Sequence, residues 1–274
     1  MNILYKYCDC LGSIKILASL ELKLPFASDI NDPYDVRPYY YCGQEEDKIV
    51  KRVRLALQRN NFQMPDDSDQ AILDIYKEKS MGDSIIDTAK KFQADSNKKS
   101  GLLSVSKNSR NTVMWAHYAD KHQGIVIGID FESLFLENDK VWGIKMYPVE
   151  YSSERLRVDV LDEYEKYAEK VLFTKSDNWK YENEFRAFFA EKLENGGLDL
   201  ESLKFRRLAL FKDFCGKKTW FLRLNPQSIR KVIFGIYTDE SLKLAIKKLA
   251  FDLPNVKLYQ ACESETYELN LTEI

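Results

Sequence analysis

Trp179-Lys-Tyr-Glu-Asn-Glu-Phe-Arg186, running on into Ala187-Phe-Phe-Ala190, is the stretch on which the reading of the fold turns. Its aromatic residues favour a half-buried strand, and side chains on a strand alternate between faces. A strand from Trp179 to Ala190 puts Trp179, Tyr181, Asn183 and Phe185 on one face and Lys180, Glu182, Glu184 and Arg186 on the other. Solvated strand faces carry charges readily, but Glu-x-Glu-x-Arg opposite an aromatic face is a concentration that marks Glu182, Glu184 and Arg186 as candidate site residues.

Working outward, Asn2 to Tyr7 reads as a strand and Ser13 to Leu20 as a helix capped by Ser13. Asp29-Ile-Asn-Asp-Pro-Tyr-Asp35 reads as a turn, in which Asn and Asp bond local backbone and Pro33 fixes φ. From Gln44 to Phe62 the period is helical: Ile49, Val50, Val53, Ala56 and Leu57 form the apolar stripe, with Lys48, Lys51, Arg52, Arg54 and Arg59 opposite. A second helical stretch, Ser68 to Gln93, breaks near Gly82, and Asp95 to Ser100 reads as a polar loop. Residues 44–93 therefore look like a helical insertion. Strands are expected over Leu102–Ser106, Gly124–Asp130, Gly143–Tyr151, Thr219–Leu224, Lys231–Ile236 and Val256–Ala261. Helices are expected over Asn111–Lys121, Val158–Phe173 and Asp239–Phe251, while Gly196 to Phe214 is too charged to assign. Strands and helices mix without a regular βαβ repeat, which argues for an α+β fold with a mixed or antiparallel central sheet. No linker or internal repeat divides residues 1–274, so a single domain is expected.

A hydrophobic content of 45% with 31% charged residues describes a chain that folds around a core. Its formal net charge of −2 does not announce a nucleic-acid binder, although a local basic patch is compatible with it. Apolar runs such as Ile125-Val-Ile-Gly-Ile129 are too short to cross a bilayer, and Met1-Asn-Ile-Leu-Tyr-Lys6 lacks a signal-peptide pattern, so a cytoplasmic protein away from membranes is expected. The odd number of cysteines, five and scattered, shows no disulfide framework. Cys8-Asp-Cys10 lacks the partners that complete a zinc site, and with only two histidines no metal is expected.

Both histidines lie in Asn111-Thr-Val-Met-Trp-Ala-His-Tyr-Ala-Asp-Lys-His-Gln-Gly124. On a helix His117 would meet Asp120, and Tyr118 would meet His122. Trp115, His117 and Tyr118 are either a rim that grips a planar ligand or core residues with a capped histidine. Ser104 and Ser106 share a strand face and are candidates for positioning a ribose or supporting another active-site residue. Neither G-x-G-x-x-G nor G-x-x-x-x-G-K occurs, which excludes Rossmann and P-loop sites, and no Gly-x-Ser-x-Gly elbow is present.

Leu4-Tyr-Lys-Tyr7, Asn31-Asp-Pro33, Met114-Trp-Ala-His-Tyr-Ala119 with Gly124, Trp179-x-Tyr-Glu-x-Glu-x-Arg186 and a late Ile-rich strand ending at Gly235 occur in that order. The set resembles a bacterial family catalogued as a domain of unknown function, number 2971. More distantly, Glu182-Asn-Glu184 is similar to the Glu-x-Glu of ADP-ribosyltransferases, which break the nicotinamide–ribose bond of NAD. That group places a basic residue on an early strand, then a Ser-x-Ser strand, then the glutamate strand. Lys6, Ser104-Val-Ser106 and Glu184 match these positions, although Lys6 stands where Arg or His is usual and Val105 where Thr is usual.

The resemblance implies an ADP-ribosyltransferase-like fold, NAD as substrate, and a transferase or NAD glycohydrolase serving as a bacterial toxin or antiviral defence effector. It implies Glu184 as the carboxylate beside the ribose and Glu182 as the group acting on the acceptor. Lys6, Tyr7, Ser104, Ser106, Trp115, His117, Tyr118 and Arg186 would then bind substrate. The acceptor would be protein, nucleic acid or water, and a regulatory partner protein is possible. Two rivals stand beside it. One is a non-catalytic binding or sensor module in which Glu182, Glu184 and Arg186 form a buried ion network; the other is a metal-dependent nuclease.

Overall fold

Alternation along Ile3–Cys8 sends Leu4 and Cys8 into one buried cluster and Tyr7, with half-buried Tyr5, into another. This strand, β1, therefore separates two packed layers. The computed structural model describes residues 3–59, 61–62, 65, 68–78, 81–137, 140–142, 144–189, 209–214 and 216–274. Helix α1 (Cys10–Ser19) follows, capped by Asp9, whose carboxylate accepts from Gly12 N at 2.5 Å. Ser13, the expected cap, is buried inside the helix and donates to Cys10 O, because the extended Asp9 already supplies a side-chain acceptor one turn earlier.

Next come β2 (Glu21–Leu24), β3 (Tyr39–Tyr41) and the helical insertion, α2 (Glu46–Arg59), α3 (Asp69–Glu78) and α4 (Met81–Asn97). Ile49 and Val53 of the expected stripe bury against Ile72, Leu73 and Tyr76. Helix α4 continues through 95–97, where a loop was expected. Asn97 there is buried, accepts from Gln93 and donates to Val36 O at 3.1 Å, so its polar groups are satisfied inside the fold.

The remaining elements are β4 (Gly101–Ser106), α5 (Thr112–Tyr118), β5 (Ile125–Asp130), β6 (Phe135–Glu137), β7 (Lys140–Trp142), β8 (Tyr147–Pro148), β9 (Glu150–Ser152), β10 (Arg157–Asp159), α6 (Ala168–Phe173), β11 (Thr174–Ser176), β12 (Glu184–Phe189), β13 (Ala209–Phe214), β14 (Lys217–Arg223), β15 (Ile229–Phe234), α7 (Glu240–Ala250), β16 (Lys257–Cys262) and β17 (Asn270–Glu273). The central sheet runs β17-β16-β15-β5-β1-β4-β12-β8 and is antiparallel at every contact except β15–β16. One face carries Leu4, Leu103, Val105, Ile127 and Val232 against Ile16, Leu17, Leu242 and Ile246 of α1 and α7. The other carries Tyr7, Val126 and Ile233 against Met114 and Trp115 of α5. This is a mixed α+β architecture with a mostly antiparallel central sheet. No helix among the described residues is long and apolar enough to cross a membrane.

Three expectations are corrected here. The single strand from Gly143 to Tyr151 is two short strands, β8 and β9, on either side of Val149; Pro148 has no N–H to carry a ladder forward. Gly143 itself lies outside the described residues. The helix expected over Val158–Phe173 shrinks to α6, because Val158 pairs with Tyr40 in the β10–β3 ladder and fills the cluster of Val36, Val160 and Val171. The third concerns the Trp179–Ala190 stretch and decides the site. Ala190 and residues 196–208 lie outside the described residues.

Candidate functional site

The strand expected from Trp179 begins five residues later, at Glu184. Asp177–Glu182 is a 3-10 turn capped by Ser176, and Asn183 follows in the left-handed region at φ 49. Asn tolerates that conformation better than most residues. Only then does β12 start, with Glu184 opposite Ser106 and Arg186 opposite Ser104. Glu184 and Arg186 therefore share a sheet face as expected, but Glu182 does not lie on the strand. It is delivered from the end of the turn, whose main chain is pinned by Ser106 Oγ donating to Glu182 O (2.6 Å) and Asn111 Nδ2 donating to Tyr181 O (3.1 Å).

These three residues meet two that the sequence reading missed as site groups. Lys175, the one buried residue of β11, donates to Glu182 Oε2 at 2.6 Å and to Glu184 Oε2 at 3.3 Å. Asp35 takes the Arg186 guanidinium as a two-pronged pair, Nη1 to Oδ1 at 2.8 Å and Nη2 to Oδ2 at 2.5 Å. Arg186 also donates to Glu184 through Nε (2.7 Å to Oε1) and Nη2 (3.0 Å to Oε2), and to Leu172 O at 3.0 Å. Glu182 is closed on its other side by the Tyr118 hydroxyl, which donates to Oε1 at 2.6 Å and accepts from Asn31 Nδ2 at 3.3 Å. Trp179 covers the outer side, its ring centre 4.7 Å from Lys175 Nζ.

The loop that supplies Asp35 is held under tension. Arg37 clamps it by donating to the carbonyls of Ser28, Asp32 and Asp35. Val36, buried and β-branched, sits at φ 53, a conformation that costs a bulky L-residue about 1–2 kcal/mol. Packing in the valine-rich cluster and the Asn97 bond hold it there. Asp32 is buried as well; Oδ1 accepts from Tyr34 N, whereas Oδ2 has no hydrogen-bond partner among the described residues.

Glu182 is 4% exposed, Glu184 5% and Arg186 1%, so the network is enclosed. Taking such charges out of water costs several kcal/mol per ion, which only close pairing offsets. The two glutamates respond in opposite directions. Burial pushes the Glu182 carboxyl up, and Lys175 only partly opposes it. Burial also acts on Glu184, but Arg186, Lys175 and the Ser104 hydroxyl outweigh it and hold that carboxyl at about 2. Burial works against the Lys175 charge, yet Glu184 and Glu182 beside it raise its pKa. The two neighbouring carboxyls are thus driven apart, Glu184 towards the anion and Glu182 towards the protonated form.

The other sequence candidates divide. Lys6 Nζ donates to Ser104 O at 3.0 Å, its pKa lowered by burial against the pull of Cys8, Glu184 and Glu182. With Ser104, Ser106 and Tyr118 it belongs to the network's surroundings. His117 is exposed and adjoins Tyr118 and Tyr181, with ring centres 6.1 and 6.3 Å away. Tyr7 and Trp115 lie elsewhere, in the core: Trp115 is fully buried, donates to Ser109 O and meets the Tyr7 ring edge-on at 5.6 Å. Tyr7 donates to Asn108 O at 2.8 Å.

The helical pairings of His117 with Asp120 and of Tyr118 with His122 do not form, because α5 ends at Tyr118 and residues 120–122 turn left-handed (φ 48, 52 and 68). Asp120 instead accepts from Cys10 Sγ, and His122 stacks on Trp115. Among the described residues no group of three or more His, Cys, Asp and Glu side chains is placed to hold a metal ion. A shallow depression lined by Glu263, Ser264, Glu265, Thr266 and Asn270 lies by β17, at the opposite edge of the sheet from β12, and has no part in this centre.

Residues 114–187 match the model of a family described as "Protein of unknown function (DUF2971)". The matched segment holds Tyr118, Lys175, Glu182, Glu184 and Arg186 and leaves out Lys6, Asp35, Ser104 and Ser106. No curated protein and no solved structure matches the chain.

Proposed function

We propose that this centre acts on NAD, as an ADP-ribosyltransferase-like enzyme or an NAD glycohydrolase, from an occluded resting state. The observation that supports the reading best is that Ser104 links two residues far from it in sequence, its carbonyl accepting from Lys6 and its hydroxyl bonding Glu184, beside a second glutamate of opposite electrostatic bias. Neighbouring carboxyls driven apart in pKa are how one site holds both a fixed charge and a proton-transfer group. Cleaving the nicotinamide–ribose bond develops positive charge on the ribose, and nicotinamide leaves with the bonding electron pair. Glu184 would stabilise that charge and hold the 2′-hydroxyl. Glu182 would take the proton from the acceptor, or from water, as its oxygen bonds the ribose carbon. Arg186, already paired with Asp35, is a positioning residue that fixes Glu184.

Admitting NAD requires the Tyr118–Glu182 and Asn31–Tyr118 hydrogen bonds to open, and a regulatory partner would be the means. The setting that suits such chemistry is a toxin or defence effector in a bacterial cytoplasm. Enclosure of the network favours a second reading, in which it is the structural heart of a non-catalytic binding or sensor module. Nicotinamide release by the purified chain separates the two, with Glu184→Gln and melting temperatures alongside. Release by wild type that the variant loses while still folded supports NAD chemistry; intact NAD with a variant that only melts earlier supports the module.

A further inference from the structure

The loop that supplies Asp35 leads into Tyr39-Tyr-Tyr41, and strand alternation divides these tyrosines. Tyr40 points into the core, where its hydroxyl bonds buried Gln93, so Tyr39 and Tyr41 share the opposite face. Strand β3 pairs in parallel with β10, with Tyr39 opposite Arg157. The Arg157 guanidinium carbon stands 5.4 Å from the centre of the Tyr39 ring and 5.1 Å from that of Tyr41. Two residues earlier, Arg155 stands 5.0 Å over the Tyr34 ring and donates to Arg37 O. Tyr34 is 60% exposed and Tyr39 49%, and both Arg155 and Arg157 are exposed.

Among the described residues, no carboxylate pairs with Arg155 or Arg157. Asp159, opposite Tyr41, is turned inward to Gly43 N and Leu161 N. This leaves two flat cations, unpaired with carboxylates among the described residues, over or beside tyrosine rings. Arg155 spends Nε and Nη2 on Arg37 O and keeps Nη1 for an oxyanion, whereas no hydrogen bond engages the Arg157 guanidinium among the described residues; exposed tyrosine rings offer platforms for further flat groups. A ligand that matches both carries regularly spaced anions and unpaired planar faces. A duplex hides its bases, and an acidic peptide has no such row of faces.

We propose that Tyr34, Tyr39, Tyr41, Arg155 and Arg157 form a binding surface for single-stranded nucleic acid. The arginines engage phosphates and the tyrosines stack on bases, the combination by which single strands are held without sequence preference. The proposal does not depend on the NAD reading; where both hold, the bound strand is the acceptor.

The test is fluorescence anisotropy of labelled oligo(dT) and oligo(U) with the full chain, repeated across salt concentrations. Two phosphate contacts predict that log affinity falls with log salt at a slope of about −1.4, and Arg157→Ala shrinks that slope by about 0.7. Tyr39→Ala, or Tyr34→Ala should Tyr39→Ala fold poorly by circular dichroism, weakens binding roughly 5- to 150-fold. Arg157→Lys keeps the charge and the slope but binds more weakly, because the flat stack is lost. A duplex of the same length binds less tightly than either single strand. Absence of binding at low salt overturns the proposal. So does equal binding of heparin, duplex and single strand with no loss in the tyrosine variants, which would make the patch a general polyanion site.

Discussion

Replacing Glu184 with Gln keeps the shape of the side chain and removes one charge from the middle of the network. Glu184 accepts from Arg186 Nε at 2.7 Å, from Arg186 Nη2 at 3.0 Å and from Lys175 Nζ at 3.3 Å. A glutamine has one oxygen for these donors, and its amide nitrogen would face a guanidinium or an ammonium, donor against donor. Breaking one partner out of a buried ion pair costs about 3–5 kcal/mol. Proton linkage gives a similar figure: a carboxyl held at about 2 instead of its usual 4.5 contributes about 3 kcal/mol of folding stability near neutral pH. The sign follows from the direction of the shift. A lowered folded-state pKa adds stability that is present above 4.5 and disappears as pH falls towards about 2.

Urea unfolding followed by tryptophan fluorescence should therefore find Glu184→Gln less stable than wild type by about 3–5 kcal/mol near pH 7. The gap should narrow on going towards pH 3, as wild type loses what the variant never had. A gap below about 1 kcal/mol at neutral pH, unchanged in acid, would refute the claim that Glu184 is a buried, paired anion.

Three further outcomes follow from the same geometry. Glu182, raised by burial, binds its proton more tightly folded than unfolded, so its contribution is present below 4.5 and is lost as pH rises; Glu182→Gln should therefore gain stability relative to wild type as pH rises above 4.5, and a relative loss with rising pH in urea titrations contradicts the assignment. Asp35→Asn leaves the fully buried Arg186 guanidinium without its two-pronged partner and should cost about 3–5 kcal/mol in the same assay; a cost within experimental scatter means that Arg186 does not need Asp35. A Cβ at Gly235 would meet His122 O at 2.1 Å and a Trp115 ring carbon at 3.0 Å, so Gly235→Ala should destabilise by about 3 kcal/mol or more, read as a melting-temperature drop of several degrees; an unchanged melting temperature would show that the left-handed turn at 120–122 yields freely.

What was legible in the sequence, and what was not, divides along physical lines. Period-two alternation located Glu184 and Arg186 on one face correctly, because both lie inside a regular strand. It misplaced Glu182, since the 3-10 turn and left-handed Asn183 reset the alternation just before β12. Asn183 itself was the available hint: an Asn between two glutamates in an aromatic stretch is a residue suited to a turn. Asp35 was hidden because Asn and Asp in a turn are explained by local backbone bonds, and nothing local reveals that one of them reaches Arg186. Lys175 was hidden for a related reason. Its burial depends on carboxylates from the following turn and strand, a tertiary fact that no periodicity records. The histidine-bearing segment failed through helix length, as Gly124 and Gly235 permit a tight left-handed return where continued helix was expected.

The most direct test of the central claim is whether NAD reaches Glu184. Carboxyl resonances of 13C-labelled glutamate, assigned with Glu182→Gln and Glu184→Gln, can be followed as NAD is added at neutral pH. The account predicts that both resonances shift saturably as the Tyr118 hydrogen bond to Glu182 opens, with nicotinamide appearing in the same tube. Unmoved Glu182 and Glu184 resonances at saturating NAD, with the nucleotide intact, would contradict it and leave the network a structural one.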